Sequence, residues 1–133
     1  MLMLPLRLMP GQDLRSSLEL AVHSHGCTAA FVISGIGSLS DARLRLADAS
    51  TFETFDGPTE LLSLSGTVAA NGSHLHMSLA TATGEVFGGH VMPGCIVRTT
   101  AEVLLGLLSD WEFSRERDAL TGFTELVISP KGQ

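Results

Sequence analysis

The chain has 133 residues, a formal net charge of −6 and a mean hydropathy of +0.30. The length predicts a single domain over residues 1–133, and 44% hydrophobic against 17% charged residues predicts a large core with apolar surface left to cover in an oligomer. The acidic balance and the scattered basic residues argue against direct binding of nucleic acid, which depends on clustered Lys and Arg.

The N-terminal residues and the two cysteines bear on the cellular compartment. The opening MLMLPLRLMPG lacks the basic start and the small-residue cleavage site of a signal peptide, and no apolar run has the length of a membrane span. Cys27 and Cys95 lie in apolar runs, where free buried thiols are the favoured interpretation. We therefore expect a cytoplasmic protein that makes no contact with a membrane.

A strand and a helix are predicted first along the chain. Residues 2–9 alternate loosely, as in a strand, and Asp13 is placed to cap a helix that Gly26 ends. The apolar residues at helical spacing are Leu14, Leu18, Ala21 and Val22. His23 and His25 fall in the last turn, where a cation or hydrogen-bond donor suits the helix C-terminus, so we interpret them as partners of that terminus and not as metal ligands.

The next segment is predicted to be a buried strand over residues 28–36. The Gly35-Ile36-Gly37 sequence resembles the start of a dinucleotide-binding fingerprint, but Ser40 replaces the third glycine and an alternating strand follows instead of a helix. On that strand Arg43 and Arg45 should face solvent or a partner subunit. Residues 48–58 are predicted to be a loop region with at most a short strand.

A β-hairpin is predicted around Asn71-Gly72, which favours a type I′ turn. A two-residue loop there pairs Ala69 with His74 and Thr67 with His76. One face of the hairpin is then apolar: Leu62, Leu64, Gly66, Val68, Leu75, Met77 and Leu79. The other face carries the two histidines beside serine and threonine hydroxyls, because alternate residues of a strand share a face.

A second turn brings a third histidine to the same face. A three-residue loop over residues 82–84, with Gly84 in the left-handed conformation, pairs Thr81 with Glu85 and places His76 opposite His90. Side chains directly opposite each other are roughly 4.5–5.5 Å apart at Cβ. A two-residue loop at this point would instead turn His90 to the other face.

Converging imidazoles at His74, His76 and His90 indicate a metal site. Three neutral imidazoles suit zinc best, with nickel, copper or iron as alternatives, and an open fourth position would hold water or a small ligand. The competing interpretation is a polar or intersubunit surface on which these histidines bond to the neighbouring serines.

The C-terminal third is less decisive. Residues 95–108 are compatible with a strand or a helix, residues 111–118 are charged and amphipathic, and residues 124–129 form a closing strand. Together the elements predict an α+β domain: a largely antiparallel sheet with one main helix packed on one face.

Four segments in this order carry a family likeness: LRLMPGQDLRSSLE, SGIGSLSDARLRLA, TELLSLSGTV with NGSHLHMSLA, and GGHVMPGCIVRTTAEVLL. Over residues 4–129 the chain resembles the plants and prokaryotes conserved (PPC) domain, in its stand-alone prokaryotic type. The resemblance implies an α/β, sandwich-like fold with a mixed, mostly antiparallel sheet, a homotrimer, and a DNA-associated, regulatory role. It also implies metal binding through the HLH and GGH histidines, which are His74, His76 and His90 here.

In plants this domain follows an AT-hook that enters the DNA minor groove, and it mediates oligomerisation and contacts with nuclear factors. This chain has no AT-hook, and it has Pro58-Thr59 where plant members tend to have Arg and an aromatic residue. The resemblance therefore carries over neither direct DNA binding nor the plant partner contacts.

Two kinds of function remain open. The first is an oligomeric binding module that holds a metal ion, with a regulatory or scaffolding role. The second is a metal-dependent enzyme of hydrolase or lyase type, in which the ion activates water and a nearby group moves a proton. Glu85, Arg98 and Glu102 are the candidates for that proton transfer, although each is better explained as a surface or ion-pairing residue.

Overall fold

The computed structural model describes residues 1–132, which form one helix and eight strands. The elements in chain order are β1 Leu2–Leu8, α1 Leu14–Ser24, β2 Ala29–Arg45, β3 Phe52–Ala69, β4 Gly72–Thr81, β5 Val86–Val91, β6 Ile96–Leu107, β7 Trp111–Arg117 and β8 Thr124–Pro130. No helix in this part of the chain is both long and apolar enough to cross a membrane.

Six strands form one sheet in the order β1-β6-β2-β3-β4-β5, and β7 and β8 form a separate hairpin. The end of β2 also pairs with β5, where Leu44 lies opposite Val91 and Arg45 lies opposite His90. Strands β2, β3, β4 and β5 therefore close into a ring. This closure brings the strand that carries His90 against the strand that carries Arg45.

The helix covers the core as predicted. The Asp13 carboxylate accepts hydrogen bonds from the backbone N–H of Ser16 at 2.9 Å and of Gly94 at 2.7 Å, so it caps the helix and ties it to the start of β6. The buried face of the helix consists of Leu14, Leu18 and Val22. Gly26 follows the C-terminus with a φ of 70°, a conformation that favours glycine.

Both histidines of the helix terminus contact carbonyl groups, but only His25 contacts one of the helix, as predicted, whereas His23 contacts one at the end of β3. A ring nitrogen of His25 lies 2.8 Å from the carbonyl oxygen of Ala21, and one of His23 lies 3.0 Å from that of Ala69. Both side chains are accounted for by these contacts and lie outside the histidine cluster described below.

Some of the sequence-based predictions needed correction. Every strand pairing among residues 1–132 is antiparallel. The mostly antiparallel sheet is therefore confirmed, but the parallel pairing that a mixed sheet requires is not found among these residues, and helix content is small. The loop predicted over residues 48–58 is shorter, since β3 already begins at Phe52. The ambiguous segment 95–108 is a strand, because β6 is hydrogen-bonded between β1 and β2.

Candidate metal centre

The β3–β4 hairpin points His74 and His76 away from the core. Thr67 lies opposite His74, and Ser65 lies opposite His76, so the predicted register is wrong by two residues. Pairing of Ala69 with Gly72 moves the two-residue loop one position earlier than the predicted Asn71-Gly72. A two-residue shift in register preserves the face of every side chain, and both histidines therefore lie on the predicted face.

The shift has a tertiary cause in Asn71. Its side-chain amide accepts a hydrogen bond from the backbone N–H of Arg115 at 2.7 Å and donates one to the carbonyl oxygen of Arg115 at 2.8 Å. Asn71 thus attaches the β7–β8 hairpin to the turn between β3 and β4, a contact that local turn preferences do not predict.

A bulge in β3 corrects one core assignment. The register shifts between Leu61 and Ser63, so Leu61 is 2% exposed and Leu62 is 46% exposed, whereas Leu62 was predicted to be in the core. Beyond the bulge, Leu64 and Val68 are buried as predicted.

The β4–β5 turn confirms the register that brings in the third histidine. The N–H of Thr81 donates to the carbonyl oxygen of Glu85 at 2.9 Å, Gly84 has a φ of 86°, and His76 lies opposite His90. Gly89 is required for the neighbouring contact, because a Cβ there would lie 2.8 Å from the carbonyl oxygen of Arg45 in β2. The glycine therefore lets β5 approach β2 and fixes the position of His90.

The three imidazoles meet through their ring nitrogens. Nε2 of His76 lies 3.1 Å from Nε2 of His74 and 3.2 Å from Nδ1 of His90, and one nitrogen from each ring lies within 4.8 Å of the others. Two ligands of a tetrahedral zinc ion at the usual Zn–N distance are roughly 3.3–3.4 Å apart. The spacing around His76 is close to that value.

Hydrogen bonding alone does not explain this cluster. A nitrogen of a neutral imidazole has either one proton or one lone pair. Nε2 of His76 approaches two ring nitrogens at once, so at most one of these contacts is a well-formed hydrogen bond. A shared cation that accepts the lone pair of each ring satisfies all three nitrogens, and the donor set therefore fits a metal ion.

The surroundings of His74 and His90 lower the pKa of both rings. Burial, and then the guanidinium of Arg45, lowers the pKa of His90 from 6.5 to about 4. Burial, and then the guanidinium of Arg115, lowers the pKa of His74, while Glu125 opposes that shift. At neutral pH both rings are thus in the uncharged form that binds metals.

Arg45, Arg115 and Thr124 are site residues that sequence reasoning missed. Two adjoining cavities of about 340 and 390 Å³ lie beside His74 and His90, and these three residues line both. Alternation placed the side chain of Arg45 outward, but its position opposite His90 follows from the β2–β5 closure. Arg115 arrives with the β7–β8 hairpin, for which no signal in the sequence indicates a contact with β4.

The three candidates for proton transfer lie elsewhere. Glu85 accepts a hydrogen bond from the hydroxyl of Thr83 at the β4–β5 turn, and Arg98 and Glu102 line a separate cavity along β6. None of them lines the two cavities beside the histidines. The acidic residue that does lie beside the histidines, among the described residues, is Glu125, which lines the second cavity.

The chain is similar to a known family and to known proteins. A family model described as the Plants and Prokaryotes Conserved (PCC) domain matches residues 3–109. Two Synechococcus proteins described as the bifunctional protein GlmU are 46% identical to this chain over 126 and 124 residues, which is 95% and 93% of this chain. Since the matches cover 20% of each relative, the chain spans about a fifth of the length of the curated relatives it matches.

Solved structures share the whole fold. A hypothetical protein from Salmonella enterica is 40% identical with a TM-score of 0.92, over 98% of this chain and 94% of its own. A metal-containing protein from Archaeoglobus fulgidus is 28% identical with a TM-score of 0.80, over 96% and 94%. A Bacteroides thetaiotaomicron protein, provisionally described as DNA-binding, is 18% identical with a TM-score of 0.83 over 94% and 91%, a likeness in fold alone.

Proposed function

The chain belongs to the Plants and Prokaryotes Conserved domain family, and from that premise we propose that it is an oligomeric module that binds one zinc ion per chain through three histidines. The observation that carries the proposal is the meeting of three ring nitrogens around Nε2 of His76 at 3.1 and 3.2 Å. His74 and His90 complete the donor set. The similar protein from Archaeoglobus fulgidus, described as metal-containing, supports it.

A bound zinc ion would link β4 to β5 and keep one coordination position for a ligand from outside the chain. The chain's own contribution is the fixed geometry of the donors. His74 and His76 are two residues apart on one strand, and His90 is held opposite His76 by the turn and by the β2–β5 contact. Zinc is favoured because imidazole nitrogens are among its preferred ligands.

Elemental analysis of protein purified without chelators tests the proposal. We expect about one zinc or similar ion per chain in the wild type and a near-complete loss in His76→Ala. His25→Ala is the matched control, since that ring bonds to a carbonyl at the helix terminus and should leave the metal content unchanged. A wild-type protein that is free of metal and takes up no zinc would refute the proposal, and the histidines would then be a polar or intersubunit surface.

The proposed oligomer is a homotrimer, as the family resemblance implies. Its physical support is the outer face of β2, where Phe31, Ile33 and Ile36 are 42%, 52% and 52% exposed although β2 lies between β3 and β6. Apolar side chains in the middle of a sheet are typical of a covered surface. Burial of the same patch on three copies would remove it from water.

Light scattering coupled to size exclusion measures the oligomeric state directly. We expect three chains per particle for the wild type and dissociation for Ile33→Glu. Leu20→Glu is the control, because Leu20 is 69% exposed on the helix and lies outside the patch. A wild-type monomer, or an Ile33→Glu variant that is folded by circular dichroism and still trimeric, would contradict this part of the proposal.

The proposed role is regulatory or scaffolding, without direct contact to DNA by this chain. Support comes from the net charge of −6 and the scattered basic residues. A mobility-shift assay should show no complex at low or at physiological salt. A complex that persists at physiological salt would refute this expectation, since such binding depends on basic contacts that salt weakens.

A metal-dependent hydrolase or lyase is the second candidate. One observation favours it: Glu125 lines the second of the two cavities together with His74 and His90. A carboxylate in this place could move a proton during the reaction of a ligand. If this candidate holds, a screen of esters, phosphate esters and hydroxy acids will yield an activity that is lost in Glu125→Gln and retained in Glu116→Gln, a change on the neighbouring strand.

A further inference from the structure

Two arginines stand where the two cavities beside the histidines meet. The cavities, of about 340 and 390 Å³, share five lining residues: Arg45, His74, His90, Arg115 and Thr124. Both arginines are half-buried. Any ligand that reaches His74 and His90 from either cavity thus comes close to two guanidinium groups.

Neither arginine of this pair forms an ion pair within the described residues, although Glu125 lines the second cavity with them. The ion pair found among residues 1–132 is that of Arg15 with Glu19 at 3.2 Å, and no carboxylate oxygen comes within 4.0 Å of Arg45 or Arg115. Nε of Arg45 and Nη1 of Arg115 are buried and have no hydrogen-bond acceptor. Such donors cost free energy unless something outside the chain compensates for them.

The fold holds the guanidinium of Arg115 in place and fixes the backbone of Arg45. Nη2 of Arg115 donates to the carbonyl oxygen of Thr124 at 2.7 Å, and the backbone of Arg115 is fixed by the two bonds to Asn71. The backbone of Arg45 is fixed by its pairing with His90. Arg115 is therefore positioned before any ligand arrives, which lowers the entropic cost of binding.

We propose that Arg45 and Arg115 make the histidine centre a receptor for a small oxyanion, a carboxylate or phosphate group that occupies the cavity junction beside the metal. This inference rests on the proposed zinc site and names the class of its ligand. Guanidinium groups match the planar geometry of a carboxylate and the oxygens of a phosphate, and charge-assisted bonds of this kind are stronger than neutral ones. A metal ion beside the arginines is also positively charged and would attract the same anion.

Calorimetric titration of the zinc-loaded protein tests the inference, with oxalate as the carboxylate probe and inorganic phosphate as the phosphate probe. We expect at least one of the two to bind, and Arg45→Gln and Arg115→Gln each to weaken its binding about tenfold or more, with zinc content unchanged. Arg43→Gln and Arg117→Gln are matched controls. Arg43 stacks over Phe52 at 4.5 Å, Arg117 is exposed two residues after Arg115, and neither lines the cavities.

The outcomes separate this inference from the proposed zinc site. If zinc is bound but neither probe binds, or if both glutamine variants bind the probe as tightly as the wild type, the arginine pair is not an anion receptor and the inference is overturned. If the protein binds no zinc, the proposed function fails, and the same titration of the metal-free protein decides the inference alone. Binding that is lost in Arg45→Gln and Arg115→Gln would then still support it, and no binding would overturn it.

Discussion

Zinc should raise the Tm of this protein by an amount that follows from the zinc concentration relative to Kd and from the length of the chain. The three ligands come together only when β4 and β5 are paired, so zinc binds the folded state. At a free zinc concentration of one hundred times Kd, such a ligand stabilises the folded state by about 2.7 kcal/mol. For 133 residues the unfolding entropy is about 0.28 kcal/mol/K, which gives a rise in Tm of about 10 °C.

The variant His76→Ala should lose most of that rise. His76 is the ring that contacts both others, and its removal leaves two ligands. If Kd weakens a hundredfold, the same zinc concentration stabilises by about 0.4 kcal/mol, or about 1.5 °C. Differential scanning fluorimetry at fixed protein concentration measures both shifts, with His25→Ala as control. A shift of equal size in His76→Ala and the wild type would refute the assignment of the ligands.

Three further predictions follow from packing. Gly89→Ala should lower Tm and weaken zinc binding, because the added Cβ would lie 2.8 Å from a carbonyl oxygen of β2. Gly88→Ala should do neither, because no atom lies nearer than 3.4 Å to a Cβ at that position. Equal Tm values for the two variants would contradict this prediction. Asn71→Ala should reduce the free energy of unfolding, measured in urea, by about 1–3 kcal/mol through the loss of its two hydrogen bonds to β7. An unchanged urea midpoint would show that these bonds contribute nothing to stability. Burial raises the pKa of the Cys95 thiol, so Ellman's reagent should modify the half-buried Cys27 first and Cys95 only on unfolding; simultaneous reaction would contradict the packing.

The histidine cluster was predictable because a local turn determines the relevant register. Gly84 in the left-handed conformation sets a three-residue loop, and counting outward from it places His76 opposite His90. The neighbouring hairpin shows the limit of such counting. Its loop begins one residue earlier than the turn preference of Asn71-Gly72 indicates, because the Asn71 side chain bonds to β7. The predicted faces are still correct because the pairing register differs from the prediction by two residues, an even number.

The arginine pair was not predictable because long-range contacts create it. Arg45 reaches His90 through the closure of β2 onto β5, and Arg115 reaches the site through a hairpin that follows the matched family segment of residues 3–109. A pattern of alternation shows that Arg45 faces outward, but it cannot show what lies opposite. The bulge at Leu62 was likewise not predictable, since nothing in the sequence of β3 marks where the alternation of buried and exposed residues breaks.

The position of the two arginines also determines which anions the site selects. A nucleic acid presents its phosphates along a chain, and binding many of them needs basic groups spread over an exposed surface. Here Arg45 and Arg115 are half-buried at the junction of two cavities, so they offer two basic groups in a recess and not a row of them on an exposed surface. A small anion can enter the recess and contact both guanidinium groups at once. The recessed position of the pair therefore favours a compact oxyanion at the histidine centre, while the net charge of −6 opposes the binding of a long polyanion.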